Sequence, residues 1–283
     1  MNLEKLSNRF SVDENGIWIS SDNSPIFYPG DGNLRCFLLE DSSFWFQHRN
    51  ECIISAVKCF PPNGPILDVG GGNGYVTRRM IDEGFNAILL EPGPLGALNA
   101  KTQRHIPDVI CSTLENAHFI PNSLDAIGLF DIIEHIEKDQ EFIKHVYAIL
   151  KPGGLLYITT PAHQWLWSLS DLYAQHFRRY DKEMIEKLLE GKFDIFFFTY
   201  FFGWLVFPIF FLRVIPFRFR LLRKKNLLGS EAEHGASGGI TVRVLNALLK
   251  GETRKIRRKI VQPLGASCLL VAHKRGSNRN SVR

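Results

Sequence analysis

The sequence predicts an α/β fold in which helices cover both faces of a doubly wound, mostly parallel sheet. Short apolar runs alternate with helical patterns from Ile66 to Tyr200, and such alternation is typical of parallel sheets. A glycine-rich turn, LDVGGGNG, follows the first of these runs directly, at the place where doubly wound folds bind ligands. The chain has 283 residues, of which 45% are hydrophobic, so it can bury one large core with an elaboration.

The predicted elements follow from the period of the apolar residues. A helix over Phe44 to Pro62 comes first and is ended by two prolines. Apolar runs predict strands at Ile66 to Val69, Ala87 to Leu90, Val109 to Ser112, Ala126 to Phe130, Leu155 to Thr160, Ile195 to Tyr200 and Ser267 to Ala272. Helical patterns between them cover Tyr75 to Glu83, Pro94 to His105, Lys138 to Leu150 and Lys182 to Leu189.

The spacing of these elements divides the chain into four parts. Residues 1–43 form an N-terminal extension, and residues 44–202 form the core. Residues 203–263 form an aromatic and basic helical insertion, and residues 264–283 hold the last strand and a polar tail. We interpret the insertion as a cap or a membrane-surface element, because Arg213 to Lys225 contains six basic residues and no acid.

Charge, cysteines and the start of the chain bear on the class of protein. The net charge of +5 is modest, and no DNA partner is predicted. The five cysteines are odd in number and have no C-x-x-C or Cys/His spacing, so the sequence predicts neither a disulfide framework nor a metal site. The opening MNLEKLSNRFSVDENG lacks an apolar run behind a basic start, so a cytoplasmic location is expected.

The residues of the glycine turn indicate the kind of ligand. A dinucleotide fingerprint, G-x-G-x-x-G, would need a third glycine where Tyr75 or Thr77 stands. The pattern is instead D-x-G-x-G-x-G, formed by Asp68, Gly70, Gly72 and Gly74. An acid there would repel a pyrophosphate but would pair with a cationic amino group. Glu91, at the end of the next strand, is placed to accept hydrogen bonds from ribose hydroxyls. Together these features indicate S-adenosylmethionine.

The chain resembles the class I S-adenosylmethionine-dependent methyltransferases, in particular their type 11, ubiquinone-biosynthesis-like group. The motifs that carry the resemblance are LDVGGGNG, Glu91, SLDAIGLFDIIEHI and ILKPGGLLYITTP, in this order and spacing. The resemblance implies a Rossmann-like, seven-stranded sheet whose last strand is antiparallel, with the donor across the strand ends. It places Asp131, Glu134 and His135 at the methionine end of the donor, with a packed or helix-capping histidine as the alternative for His135. The family's usual adenine-binding Asp is missing, so Thr113, the Leu114 backbone or Glu115 must supply that contact.

The loop after the fifth strand, PAHQWLWSLSDLYAQHFRRYD, is predicted to hold the methyl acceptor. Asp171 could orient the imidazole of His176 as a general base, and His163 is a second candidate base. The predicted substrate-binding residues are Trp45, Arg49, Trp167, Arg179 and Tyr180, of which Arg179 suits a phosphate or carboxylate. A salt-bridged loop that only covers the sheet is the alternative. This loop also resembles methyltransferases of glycan and lipid-linked sugar pathways, which suggests the acceptor class.

An aromatic segment adds a prediction about membranes. Half of the 22 phenylalanines lie between Phe193 and Phe219, but the sheet uses Phe193 to Tyr200 and the remainder is too short to span a bilayer. With the basic residues that follow, the segment favours peripheral binding to an anionic membrane surface on its inner face. Binding of a substrate tail, a buried or dimer surface, and a spanning segment are the alternatives.

These observations predict an S-adenosylmethionine-dependent methyltransferase that methylates an oxygen of a small or lipid-linked, glycan-type acceptor. Two other functions remain open. An RNA methyltransferase would use the basic insertion to bind phosphates, although an RNA partner is disfavoured by the bulky apolar residues among those basic groups. A regulatory protein that binds the donor without transferring its methyl group would have the same glycine turn. The oligomeric state is left open.

Overall fold

The computed structural model describes residues 3, 6–7, 9–20, 37–219 and 240–276, without the side chains of 240–248. One mixed sheet forms the centre of the molecule, with the strand order β1-β2-β5-β4-β3-β6-β7-β9-β8. Its strands are β1 (Phe10–Val12), β2 (Trp18–Ser20), β3 (Ile66–Val69), β4 (Ala87–Leu90), β5 (Val109–Cys111), β6 (Leu124–Phe130), β7 (Leu150–Pro161), β8 (Phe193–Phe201) and β9 (Ser267–Lys274).

The sheet is mostly parallel, as predicted. Strands β2, β5, β4, β3, β6 and β7 are parallel neighbours. The last strand, β9, runs antiparallel between β7 and β8. The predicted antiparallel last strand is therefore confirmed, and the carboxyl ends of the parallel strands share one edge.

The predicted number of seven strands is wrong, because the sheet has nine within the described residues. The additional pair, β1 and β2, forms an antiparallel hairpin in the N-terminal extension and joins the sheet beside β5. In its turn, Asp13 accepts hydrogen bonds from the backbone N–H groups of Asn15 and Ile17 at 2.9 and 2.7 Å. Strands of three residues are too short to give a recognisable alternation of apolar and polar positions.

Helices cover both faces of the sheet. They are α1 (Phe44–Cys59), α2 (Tyr75–Asp82), α3 (Pro94–Thr102), α4 (Asp139–Ile149), α5 (Leu169–Tyr173), α6 (Lys182–Leu189), α7 (Val206–Ile209), α8 (Ile215–Arg218) and α9 (Ile240–Arg257). In β3, Ile66 packs in one apolar cluster with Ile53 of α1 and Ile256 of α9. Leu67 packs in another with Ile143 of α4. Because both faces are covered, the strands have continuous apolar sequences.

The aromatic segment turns sharply after β8. Phe202 has a left-handed backbone (φ 59°), and a 3-10 turn (Gly203–Leu205) leads into α7, a π-helix (Phe210–Val214) and α8. No helix of the described ranges is both long and apolar enough to cross a bilayer. Of the predicted basic run, Arg220, Arg223, Lys224 and Lys225 lie outside the described residues.

Candidate active site

The glycine turn after β3 has a backbone that other residues adopt only with strain. Gly70, Gly72 and Gly74 have φ values of 64°, 58° and 80°, in the left-handed region that favours glycine. A methyl group added at Gly70 would also overlap the side chain of Ile132. The turn therefore needs glycine for both its conformation and its close packing against the residues that follow β6.

Asp68 lies in β3, all of which is buried, and is 1% exposed. The hydroxyl of Thr77 donates to its Oδ2 at 2.5 Å, whereas Oδ1 has no hydrogen-bond partner among the described residues. Burial raises the pKa of this carboxyl to about 6, although the Thr77 hydrogen bond and Arg49 act in the opposite direction. A buried carboxylate oxygen without a partner is costly, so this position fits the ammonium group of S-adenosylmethionine.

Glu91 follows β4 and connects two loops at the same edge of the sheet. One carboxylate oxygen accepts from the N–H of Gly72 and the other from the N–H of Gly93, both at 2.8 Å. The side chain is therefore held in place, with the residue only 5% exposed. Each carboxylate oxygen has a second lone pair, which suits the two hydroxyls of a ribose.

The residues after β5 form a tight turn. Thr113 accepts hydrogen bonds from the N–H groups of Asn116 and Ala117 at 3.2 and 3.1 Å, and Leu114 packs into the core. The carboxylate of Glu115 is exposed and lies 3.7 Å from His145. Among the three predicted adenine contacts, this arrangement favours Thr113 and the Leu114 backbone.

Asp131 follows β6, the neighbour of β3, and has a left-handed backbone (φ 58°). Its carboxylate accepts a 3.0 Å hydrogen bond from Thr159 and forms an ion pair with Arg49 of α1. Arg49 also donates to the carbonyl of Phe130 at 2.7 Å. These contacts fix α1 to the sheet edge next to the glycine turn.

The predicted pair of Asp171 and His176 is present in the loop after β7. Nδ1 of His176 lies 2.9 Å from Oδ1 of Asp171. Arg179 donates to both carboxylate oxygens, at 2.7 and 3.0 Å, and the N–H of Ser168 donates to Oδ2 at 2.8 Å. Burial alone would raise the pKa of Asp171, but the hydrogen bonds from His176 and Arg179 outweigh it and hold the pKa below its ordinary value. An ionised Asp171 fixes the orientation of the His176 ring.

Glu134 and His135 reach the same place from the turn after β6. Their ligand atoms and those of His176 all lie within 4.8 Å of one another. The rings of His135 and His176 are perpendicular, with centroids 4.7 Å apart. Burial, followed by the neighbouring His176, lowers the pKa of His135 to about 4. Sequence reasoning noted the residues separately but missed the cluster, because His176 is about forty positions away.

The remaining predicted residues have other surroundings. His163 stacks on Tyr200 with a centroid distance of 4.7 Å, and within the described residues no hydrogen bond or ring contact joins it to His176. Tyr180 is 1% exposed and donates to Asp139 at 2.8 Å, while Trp45 stacks on Phe202 at 3.9 Å.

These geometries bear on the predicted roles. Arg179 is engaged with Asp171, and Tyr180 lies in the core. Both are therefore better placed to position other residues than to touch a substrate. Trp167 is half-buried, and its substrate role stays a prediction.

Comparison with known proteins supports the resemblance to methyltransferases that the sequence motifs indicate. A family model described as a methyltransferase domain matches residues 45–192. The chain is 32% identical over 106 residues to the mitochondrial ubiquinone biosynthesis O-methyltransferase of Rattus norvegicus, covering 34% of this chain and 30% of that protein. It is 26% identical over 162 residues to the corresponding protein of Schizosaccharomyces pombe, covering 53% and 56%. Neither alignment reaches two thirds of the relative's length.

Solved structures show the same fold. Phosphoethanolamine N-methyltransferase 2 of Haemonchus contortus, in complex with S-adenosylmethionine, superposes with a TM-score of 0.53 at 20% identity. The superposition covers 88% of this chain and 58% of that chain. At this identity the similarity shows the fold alone.

Proposed function

The chain belongs to the methyltransferase domain family, and on that premise we propose that it methylates an oxygen of a small or lipid-linked acceptor. The family match confirms the predicted methyltransferase class and its cofactor, S-adenosylmethionine. One observation carries the proposal. Four neighbouring parallel strands present the glycine turn, Asp68, Glu91, Thr113 and Asp131 at a single edge of the sheet.

The donor-side residues have separate tasks in this proposal. Oδ1 of Asp68 binds the ammonium group, and Glu91 binds the ribose hydroxyls. Thr113 and the Leu114 backbone contact the adenine, and Asp131 lies at the methionine end. When bound, S-adenosylmethionine supplies a methyl group on a sulfonium, which is already a good leaving group. The protein therefore acts chiefly by alignment and, for a hydroxyl acceptor, by removing a proton.

His176 is the residue best placed to take up that proton. Its Nδ1 is held by Asp171, so Nε2 is the ring nitrogen available to an acceptor. Arg179 serves this arrangement indirectly, because its two hydrogen bonds keep Asp171 in position and ionised. The O-methyltransferase names of the curated relatives support oxygen as the methylated atom.

A lipid-linked acceptor is supported by an apolar surface beside the acceptor loop, here called the apolar rim. The rim consists of exposed apolar side chains that are 57–72% exposed: Trp204, Phe207, Phe211, Leu212 and Phe219. The segment that carries the rim contacts the acceptor loop, because Phe210 packs against Trp165 at 5.7 Å and Arg218 donates to the Trp165 carbonyl at 3.2 Å. Large exposed apolar patches mark membrane or ligand sites. We propose that the rim holds the lipid part of the acceptor at an anionic membrane surface.

Transfer of a labelled methyl group to fractionated cell extract tests this function. The protein is incubated with S-adenosylmethionine labelled in its methyl group, and lipid, water-soluble, RNA and protein fractions are counted. We expect label in the lipid or the small-molecule fraction, bound as an ether or an ester. Asp68→Asn serves as the variant without donor binding, and Asp82→Asn on the surface serves as its control. Label in RNA, or methylation of nitrogen, would contradict the proposed acceptor class.

A further inference from the structure

Glu134, His135 and His176 form a compact group of side chains that can bind metals, at the carboxyl ends of the parallel strands. We propose that these three residues bind one divalent transition-metal cation. Their ligand atoms all lie within 4.8 Å of one another, so a single ion could contact each of them after small rotations. Glu134 and His135 belong to the 3-10 turn Ile133–His135 after β6, and His176 belongs to the loop that follows β7 and α5.

The carboxylate of Glu134 provides an independent observation that points to a ligand. The residue is 0% exposed. Thr160 donates to Oε2 at 3.0 Å, but Oε1 has no hydrogen-bond partner among the described residues. Buried polar atoms in native proteins are almost always paired. An oxygen of this kind, beside two imidazole rings, is placed to bind a cation.

His176 is held in the way that metal ligands are usually held. A ligating histidine generally bonds through its other ring nitrogen to a carboxylate or a carbonyl, which fixes its orientation. Nδ1 of His176 lies 2.9 Å from Oδ1 of Asp171. The His176 ring therefore has one nitrogen engaged and Nε2 available to the ion.

The donor set indicates which metals fit. Two imidazole nitrogens and one carboxylate oxygen suit zinc, iron, cobalt or manganese, whereas magnesium and calcium prefer oxygen ligands alone. Three protein ligands leave at least one coordination position open, as in catalytic rather than structural sites. The sequence predicted no metal site, because its cysteines and histidines have no metal-ligand spacing along the chain. These ligands meet only in the fold.

The place of the cluster suggests what the open position is for, and this part rests on the proposed function. Ile132 lies between Asp131 and the 3-10 turn that carries Glu134 and His135. It packs against Gly70 of the glycine turn. A cation next to the donor could therefore bind the acceptor hydroxyl and lower its pKa. Coordination would use Nε2 of His176, so in the loaded protein the acidified hydroxyl would release its proton to water, whereas in the metal-free protein His176 takes that proton up.

Direct binding measurements on the full chain test the site without relying on activity. The protein is stripped with a chelator and titrated with ZnCl₂, MnCl₂ and CoCl₂ by calorimetry, while the visible absorption of Co²⁺ reports its coordination. We expect one ion per chain. His176→Ala and Glu134→Gln should each weaken binding by at least about 10-fold, the lower end of what changes around a metal site cost. His145→Ala, on the exposed surface of α4, is the matched control and should bind like the wild type.

Three results would overturn the proposal. They are the absence of stoichiometric binding of any of these ions, unchanged affinity in both ligand variants, and equal weakening in His145→Ala. Binding of S-adenosylhomocysteine, measured with and without chelator, reports separately on the donor site and on correct folding of each variant. A protein that binds the ion but not the donor would refute the proposed function and leave the metal site standing.

Discussion

Nε2 of His48 lies 2.9 Å from the carboxylate of Glu252, although the two residues are 204 positions apart in the chain. Both are buried, with side chains 5% and 2% exposed. Glu252 of α9 also accepts from the N–H groups of Phe202 and Gly203 at 2.8 and 2.7 Å. The carboxylate of Glu252 thus connects α1, the turn after β8 and α9.

Glu252→Ala is expected to destabilise the protein by at least about 3 kcal/mol, because each buried donor left without an acceptor costs about 1–3 kcal/mol. The loss leaves His48 and two backbone N–H groups without acceptors. Urea denaturation followed by circular dichroism measures the change. Glu186→Ala, which breaks an exposed pair with Lys182 on α6, should cost less than about 1 kcal/mol. Similar losses in both variants would refute a structural role for the Glu252 contacts.

Glu91→Ala should weaken the binding of S-adenosylhomocysteine by about 10- to 100-fold, as expected for losing hydrogen bonds to a charged acceptor. The variant removes the ribose acceptor and also the two bonds that hold the Gly72 and Gly93 backbones. Calorimetry measures the affinity. Glu141→Ala, an exposed acid on α4, should have no effect. Wild-type affinity in Glu91→Ala would place the ribose elsewhere.

Asp68→Asn is expected to abolish donor binding while stabilising the unliganded protein at neutral pH. The pKa of Asp68 in the folded state is about 6, above its ordinary value of 3.8, so the folded state binds the proton more tightly than the unfolded state. Its contribution to stability is therefore greatest at low pH and declines as the pH rises from about 4 to about 6. At pH 7 the charged side chain costs at most roughly 3 kcal/mol.

The stabilisation by Asp68→Asn should consequently be larger at pH 7.5 than at pH 5. Urea denaturation at the two pH values measures it, with Asp82→Asn on the surface as the control. A variant that is less stable than the wild type at pH 7.5 would mean that the Asp68 carboxylate is satisfied in the unliganded protein.

His176→Ala should lower turnover by about 10²- to 10⁴-fold, the usual contribution of a general base, and should leave donor affinity unchanged. The affinity is retained because the His176 ring contacts Asp171 and His135 and, within the described residues, none of the proposed donor contacts. Single-turnover kinetics and calorimetry separate the two quantities. His163→Ala tests the other candidate. A loss of turnover in that variant alone would move the role of base to His163.

The protein is expected to bind anionic vesicles and not neutral ones, and to be released by high salt. Basic residues near an anionic leaflet contribute about 1 kcal/mol each, and 1 M salt shortens the Debye length to about 3 Å. Flotation of liposomes measures binding. Two variants separate the contributions, one with Phe207→Ser and Phe211→Ser in the apolar rim and one with Arg218, Arg220, Arg223, Lys224 and Lys225 neutralised. Flotation that resists both salt and alkaline carbonate, or no flotation at all, would refute peripheral binding.

The sequence was sufficient for the parts of the molecule that depend on local patterns. The central strands have continuous apolar runs, and the acids that follow them had to meet at one edge once the strands were parallel. Asp68, Glu91 and Asp131 lie at that edge, and their roles stay predictions. The D-x-G-x-G-x-G pattern was informative because a left-handed turn needs glycine at those positions.

The parts that failed depend on contacts between distant segments. The pairing of β1 and β2 involves only three residues in each strand. The cluster of Glu134, His135 and His176 forms only when the loops after β6 and β7 converge. An arginine beside a tyrosine suggested anion binding, but Arg179 is sequestered by Asp171, which no local pattern indicates.

The position of β9 between β7 and β8 has a consequence for synthesis. A ribosome completes both neighbours well before Ser267–Lys274 emerges, so two long apolar strands leave the exit tunnel without the partner that will separate them. Until then the nascent chain exposes unpaired strand edges, which are prone to pair with other chains. The productive folding of this molecule is thereby delayed until β9 has been synthesised, and a holdase chaperone that shields β7 and β8 would raise its yield.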